Sequence, residues 1–150
     1  MKISTKGRYA LEAVLDLACH SKEELESLKN IAMRLDKSKN YLEQLFVILR
    51  KSQLIESVRG AQGGYRLART PETITAGDII RSVEGSMAPV GCLEAGIDAC
   101  ECGNYKICPT RDVWGGIESR INEVLDSVTL KDLMDCYESY SGKNELEYYI

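Results

Sequence analysis

From Lys6 to Cys19 the apolar positions fall at Tyr9, Ala10, Ala13, Val14, Leu17 and Ala18, the 3.6-residue spacing of an amphipathic helix. A polar connector follows, from His20 to Ser27. Leu28, Ile31, Ala32 and Leu35 then share one face of a short second helix. Asp36 and Lys37 break the pattern, and Ser38 is placed to cap a third helix over residues 39–52. In that helix Tyr41, Leu42, Leu45, Phe46, Ile48 and Leu49 are apolar. A short helix, a tight turn and a longer helix make the helix-turn-helix outline, although proteins that never meet DNA also use it.

The periodicity then changes. Residues 54–59 alternate with period two and carry β-branched side chains, so they predict a strand. Gly60 to Gly64 reads as a turn, and Tyr65 to Ala68 returns as a second strand. A hairpin directly after a helix-turn-helix is a wing, and Arg59 and Arg66 are expected to flank its tip. Thr75 and Asp78 resemble a capping box that opens a helix to about Val83. Residues 85–108 carry no periodicity, and an irregular stretch of that length in a compact domain points to function or disorder. Pro109 suits the first position of a helix reaching about Val128, with an apolar stripe at Val113, Trp114, Ile117, Ile121, Val124, Leu125 and Val128. Little chain remains to cover that stripe, so a helix from a second copy is expected against it. A short helix starts at Thr129, and a flexible tail is expected over 141–150.

The predicted architecture is therefore mainly α with a small β-hairpin wing: a winged helix-turn-helix plus a long dimerisation helix. Its segments are a DNA-binding domain over 1–84, a cysteine-rich loop over 85–108, the dimerisation and C-terminal helices over 109–140, and the tail.

Charge sharpens the picture. The net charge of −4 conceals an asymmetry: residues 1–81 hold 14 basic and 10 acidic side chains, and residues 82–150 hold 5 and 13. A net of +4 faces a net of −8, so the first half suits phosphates and the second does not. No apolar run reaches the ~20 residues of a membrane span. The first residues lack the pattern of a secretory signal, which places the chain in the cytoplasm with no membrane partner. No nucleophile–base set and no phosphate-binding fingerprint is present, which argues against an enzyme.

Four of the six cysteines crowd into one segment, as Cys92, Cys100, Cys102 and Cys108. In a cytosolic chain such clustering points to metal or redox chemistry before structural disulfides. Four thiolates complete a 2Fe–2S or 4Fe–4S cluster, of which 2Fe–2S is preferred here. Glycines at 91, 96 and 103 let ligands converge from a loop. A thiol switch ranks second. Zinc ranks third, because gaps of seven, one and five residues fit its paired-cysteine spacing badly. Cys19, Cys136 and the single His20 read as packing or helix-terminal residues.

Four stretches carry a resemblance to a known family: residues 4–11 (Ser-Thr-Lys-Gly-Arg-Tyr-Ala-Leu), residues 41–46 (Tyr-Leu-Glu-Gln-Leu-Phe), residues 58–65 (Val-Arg-Gly-Ala-Gln-Gly-Gly-Tyr), and Cys102 to Trp114 through Cys108. Together they resemble the IscR-type iron–sulfur cluster regulators. The resemblance implies a homodimer built through the helix after Cys108, bound to a pseudo-palindromic double-stranded operator. It implies a DNA-facing set of Lys6, Arg8, Ser38, Lys39, Asn40, Tyr41, Glu43, Gln44, Arg59 and Gly60. Chemistry agrees: Gln pairs with adenine, and a carboxylate accepts from cytosine N4. IscR-type proteins use three cysteines and a histidine three residues after the last, where this chain has Arg111. Cys92, Cys102 and Cys108 match the three, so Cys100 is expected to replace the histidine. The acidic ligand of nitric-oxide-sensing relatives is matched here by Arg8. Two other readings remain open. One is a repressor controlled by thiol oxidation or a partner protein. The other is an iron–sulfur carrier using the helix-turn-helix as scaffold.

Overall fold

The structure, a computed structural model, describes residues 2–22, 24–94 and 102–148. Helix α1 (Thr5–Ser21) starts at the side chain of Ser4, which accepts from the Gly7 N–H. Its apolar face buries Ala10, Ala13, Val14 and Leu17 completely. Helix α2 (Leu28–Leu35) is capped by Ser27 and α3 (Lys39–Lys51) by Ser38. Asp36 adopts a left-handed backbone (φ 51°) between them, which makes the turn tight enough for α2 and α3 to share the core. Leu42, Leu45, Phe46 and Leu49 anchor α3 beneath α1.

Strands β1 (Ile55–Val58) and β2 (Gly64–Leu67) pair antiparallel, with Ile55 opposite Leu67 and Glu56 opposite Arg66. The turn between them closes through Gly63 N–H to Gly60 C=O (3.0 Å). Gly60 has φ 118°, and a Cβ at Gly63 would lie 2.1 Å from the Val58 carbonyl oxygen, so both positions require glycine. On its other edge β2 pairs with the α1–α2 connector, where Glu26 and Tyr65 exchange both backbone hydrogen bonds (2.9 and 2.8 Å). Phe46 meets Tyr65 edge-to-face at 4.8 Å, which ties the wing to α3.

The capping box is present: Thr75 and Asp78 exchange side-chain and backbone bonds at the start of α4 (Ala76–Glu84). Helix α5 (Pro109–Ser127) leads into α6 (Leu130–Tyr148). Two strand-like bonds, Ala76 N–H to Val128 C=O and Leu130 N–H to Ile74 C=O, fix that junction to the body. Leu130 is fully buried. One expectation is corrected. The last helix is not short: it runs 19 residues through the segment expected to be a flexible tail. Residues 141–148 contain lysine, leucine and two glutamates with no proline, so the backbone continues helical once α6 has been nucleated.

Candidate nucleic-acid interface and cysteine cavity

With one face of α3 locked in the core, its opposite face is set. Lys39, Asn40, Glu43 and Gln44 are all exposed on it. Val47 continues the same row at i, i+3, i+4, i+7 from Asn40 and is 41% exposed, the one apolar side chain there. The sequence reading missed it, because an isolated valine in a helix resembles a core position. Ser38 is exposed, and its hydroxyl oxygen already accepts from the Tyr41 N–H. Tyr41 is half-buried, with its ring edge-on to Tyr9 at 5.7 Å. Lys37 lies 3.7 Å over the Tyr9 ring and pairs with Glu12, so the entry to α3 is braced against α1.

Arg59 and Gly60 sit exposed at the hairpin turn. Arg66 does not flank the tip. Its register places it across from Glu56, to which its Nε donates at 3.0 Å. Lys6 and Arg8 are exposed on the first turns of α1. An unforeseen carboxylate holds that helix end. Glu84, the last residue of α4, accepts from the Ser4 N–H and the Gly7 N–H at 3.0 Å each, and from the Ser4 hydroxyl. Gly7 allows this approach, since a Cβ there would lie 2.5 Å from Glu84 Oε1. A negative charge at a helix N-terminus meets its free N–H groups and its positive dipole end. Chain order gave no hint of a contact spanning 77 residues.

Behind the wing, Asp16 and Glu26 converge on Arg34. Arg34 donates to both Asp16 oxygens (Nε 3.0 and 3.1 Å, Nη2 2.7 Å) and to Glu26 Oε2 at 3.1 Å. Burial pushes the Glu26 carboxyl up. The Asn30 amide, the Ser27 N–H and Arg34 together outweigh it and hold the group below the usual range.

Among the loop cysteines, Cys92 lies in a single 3₁₀ turn (Gly91–Leu93). Cys102 precedes another such turn (Tyr105–Ile107), and Cys108 is the residue before α5. All three line one cavity of about 190 Å³, walled also by Tyr105, Arg111 and Trp114. Among the described residues no three ligands lie close enough to hold a bare metal ion. Cys100 lies outside the described residues. The Thr110 hydroxyl, 3.1 Å from Cys108 Sγ, holds that thiol below its ordinary range, helped by the N–H groups of Arg111 and Thr110. At the other end of the chain burial raises the Cys19 thiol, which suits a packing residue. Arg111 donates from Nη2 to the Tyr105 hydroxyl at 2.8 Å and stacks 4.2 Å from that ring. Its Nε is buried without a partner among the described residues.

Outside the loop, α5 is covered unevenly. Val113 and Val124 are 57% and 62% exposed, and none of its residues is fully buried. No helix among the described residues is long and apolar enough to cross a membrane.

Comparison with known proteins bears on these features. A family model, Rrf2, described as an iron-dependent transcriptional regulator, matches residues 3–136. The HTH-type transcriptional regulator CymR of Bacillus subtilis is 47% identical over 133 residues, 89% of each chain. The HTH-type transcriptional regulator IscR of Aliivibrio salmonicida is 42% identical over 134 residues, 89% of this chain and 77% of that one. The solved structure of the B. subtilis CymR, called there the global cysteine regulator, superposes with a TM-score of 0.72 at 44% identity, covering 90% of this chain and 97% of the other.

Proposed function

The chain belongs to the Rrf2 family of DNA-binding transcriptional regulators and is not an enzyme; from that premise we propose that its operator binding is governed by an iron–sulfur cluster held by Cys92, Cys100, Cys102 and Cys108. The supporting observation is the single cavity shared by Cys92, Cys102 and Cys108, three thiols that lie 16 residues apart in sequence from first to last. The donor set fits such a group. Thiolates are its usual ligands, the lowered Cys108 thiol readily supplies one, and Arg111 brings a positive charge to the cavity wall. Once bound, the cluster would supply chemistry sensitive to oxidants and to iron supply.

The chain's own residues do the remainder. As a dimer joined through α5, it presents two copies of α3 to adjacent major grooves, about 34 Å apart. Asn40 and Gln44 pair with adenine edges, Glu43 accepts from cytosine N4, and Val47 meets a thymine methyl. Lys39, Lys6 and Arg8 meet phosphates, while Arg59 and Gly60 bring the wing tip to the minor groove. Glu84 joins the loop to these contacts. It ends α4 one residue before the segment holding Cys92 begins and grips the first turn of α1, so an ordered loop fixes the helix end that carries Lys6 and Arg8.

A second reading has its own support. The 47% identical relative is called the global cysteine regulator of its organism, which favours control by thiol oxidation or a partner protein without a cluster.

Anaerobic purification with an absorption spectrum, iron and sulfide analysis, and duplex binding before and after cluster removal separates the two. Visible bands, near-stoichiometric iron and sulfide, and altered duplex affinity are expected. A colourless, iron-free protein after anaerobic reconstitution overturns cluster control and leaves the thiol reading.

A further inference from the structure

Arg111 combines three features rarely found together. It lies in the wall of the cavity that Cys92, Cys102 and Cys108 share. Its guanidinium is fixed on two sides, by a 2.8 Å bond from Nη2 to the Tyr105 hydroxyl and by stacking on the same ring. Yet its Nε, which is buried, has no acceptor among the described residues. A buried donor left unsatisfied costs about 1–3 kcal/mol, so such groups are few in folded proteins and usually mark something that belongs beside them. Among the described residues, the other hydroxyls of the cavity do not serve. Thr110 is engaged with Cys108, and the Tyr105 hydroxyl is taken by Nη2.

Arg111 shares its cavity with three cysteines, so a thiolate or a sulfur bound by one would be an acceptor of the right chemistry. We propose that Arg111 is an outer-sphere donor to the iron–sulfur group, its Nε–H directed at a cluster or cysteine sulfur and its charge offsetting that of the Cys92, Cys102 and Cys108 thiolates. The inference rests on the cluster reading above. The guanidinium cannot ligate, but planar, permanently charged and clamped by Tyr105, it can hold a fixed hydrogen bond that a lysine cannot reproduce. Arg111 is therefore a positioning and tuning residue. Hydrogen bonds to sulfur and local charge set the reduction potential of such clusters. Reduction adds one electron and so one negative charge. A fixed cation with a donor stabilises the reduced state and raises the potential. Its removal lowers the potential.

The test is a dye-mediated redox titration of the anaerobically isolated full chain, with iron and sulfide measured alongside. Arg111→Gln keeps a planar polar side chain without charge, Arg111→Lys keeps charge without the fork, and Tyr105→Phe keeps both but removes the clamp. Expected is a fall in midpoint potential for Arg111→Gln of at least 59 mV, a tenfold change in a one-electron equilibrium. Arg111→Lys and Tyr105→Phe should fall by smaller amounts. If Arg111→Gln loses the cluster altogether, the other two variants decide by the same criterion. Unchanged potentials in every variant that holds a cluster overturn the proposal, because a merely structural arginine would alter cluster content alone. A wild-type chain that takes up no cluster overturns it too, together with the reading beneath it, and the iron analysis of the wild type tells that failure from the first.

Discussion

Single residues here act through what they leave room for. Gly7 looks like an ordinary helix glycine, and alanine there should gain up to about 1 kcal/mol of helix propensity. The structure reverses that expectation. An added Cβ would meet Glu84 Oε1 at 2.5 Å and push the carboxylate off the N–H groups it satisfies. Overpacking of this kind costs about 1–3 kcal/mol. Gly7→Ala should therefore lower the thermal midpoint by several degrees, at about 2–4 °C per kcal/mol for a chain of this size. Glu84→Ala should also destabilise. The double variant should cost less than the sum, since without the Glu84 carboxylate the new methyl keeps only its 3.0 Å approach to Ile3 Cγ2. Additive losses in a calorimetric double-mutant cycle would show that the two residues do not interact.

At the scale of elements, the wing is held by charge as well as by packing. Glu26 gives its backbone to Tyr65 of β2 and its carboxylate to Arg34, Asn30 and the Ser27 N–H, so one residue links α2 to the hairpin. Its folded pKa lies below the unfolded value of about 4.3. A depressed carboxylate contributes stability that is present above the unfolded pKa and lost as pH falls through the folded one. Glu26→Gln should be less stable than the native chain by a constant gap from pH 7 to about 5, in proportion to the shift. The gap should narrow as pH falls below the unfolded value and the native residue begins to take up its proton. Urea midpoints for both chains from pH 7 down into the acid range check this, and a gap that stays constant however far the pH falls refutes it.

For the whole molecule, the decisive surface is α5. This helix is 19 residues long with no fully buried side chain, and Val113 and Val124 are more than half exposed. Under the proposed dimer, a second α5 against it would supply cover and set the half-site spacing. Val124→Glu would place a carboxylate in that seam at a cost of several kcal/mol. Sedimentation should show a dimer for the native chain and a shift to monomer for the variant. Operator affinity should fall by about a hundredfold or more, the equivalent of some 3 kcal/mol. A variant still dimeric at the same concentration would place the interface elsewhere.

Much of this was legible in the sequence, because it is local. Helix α3 announces itself through the spacing of Leu42, Leu45, Phe46 and Leu49, the wing through alternation and its glycines, and α4 through Thr75 and Asp78. Each pattern depends on neighbours within one turn or one pleat, and backbone geometry fixes what those neighbours do. The clustering of cysteines and the exposed polar row of α3 were equally plain. What chain order could not supply was any relation between distant groups. The grip of Glu84 on Gly7, the meeting of Asp16 and Glu26 on Arg34, the pairing that turns Arg66 from the wing tip, and the cavity that Arg111 shares with three cysteines arise only when packing closes long loops. The length of α6 also escaped, because its polar tail carries no amphipathic signal and is helical by propensity and nucleation alone. Sequence determined the elements and their chemistry, since those follow from periods of two and 3.6 residues. Tertiary structure alone decided which charges meet, since that depends on the distances left when the core has closed.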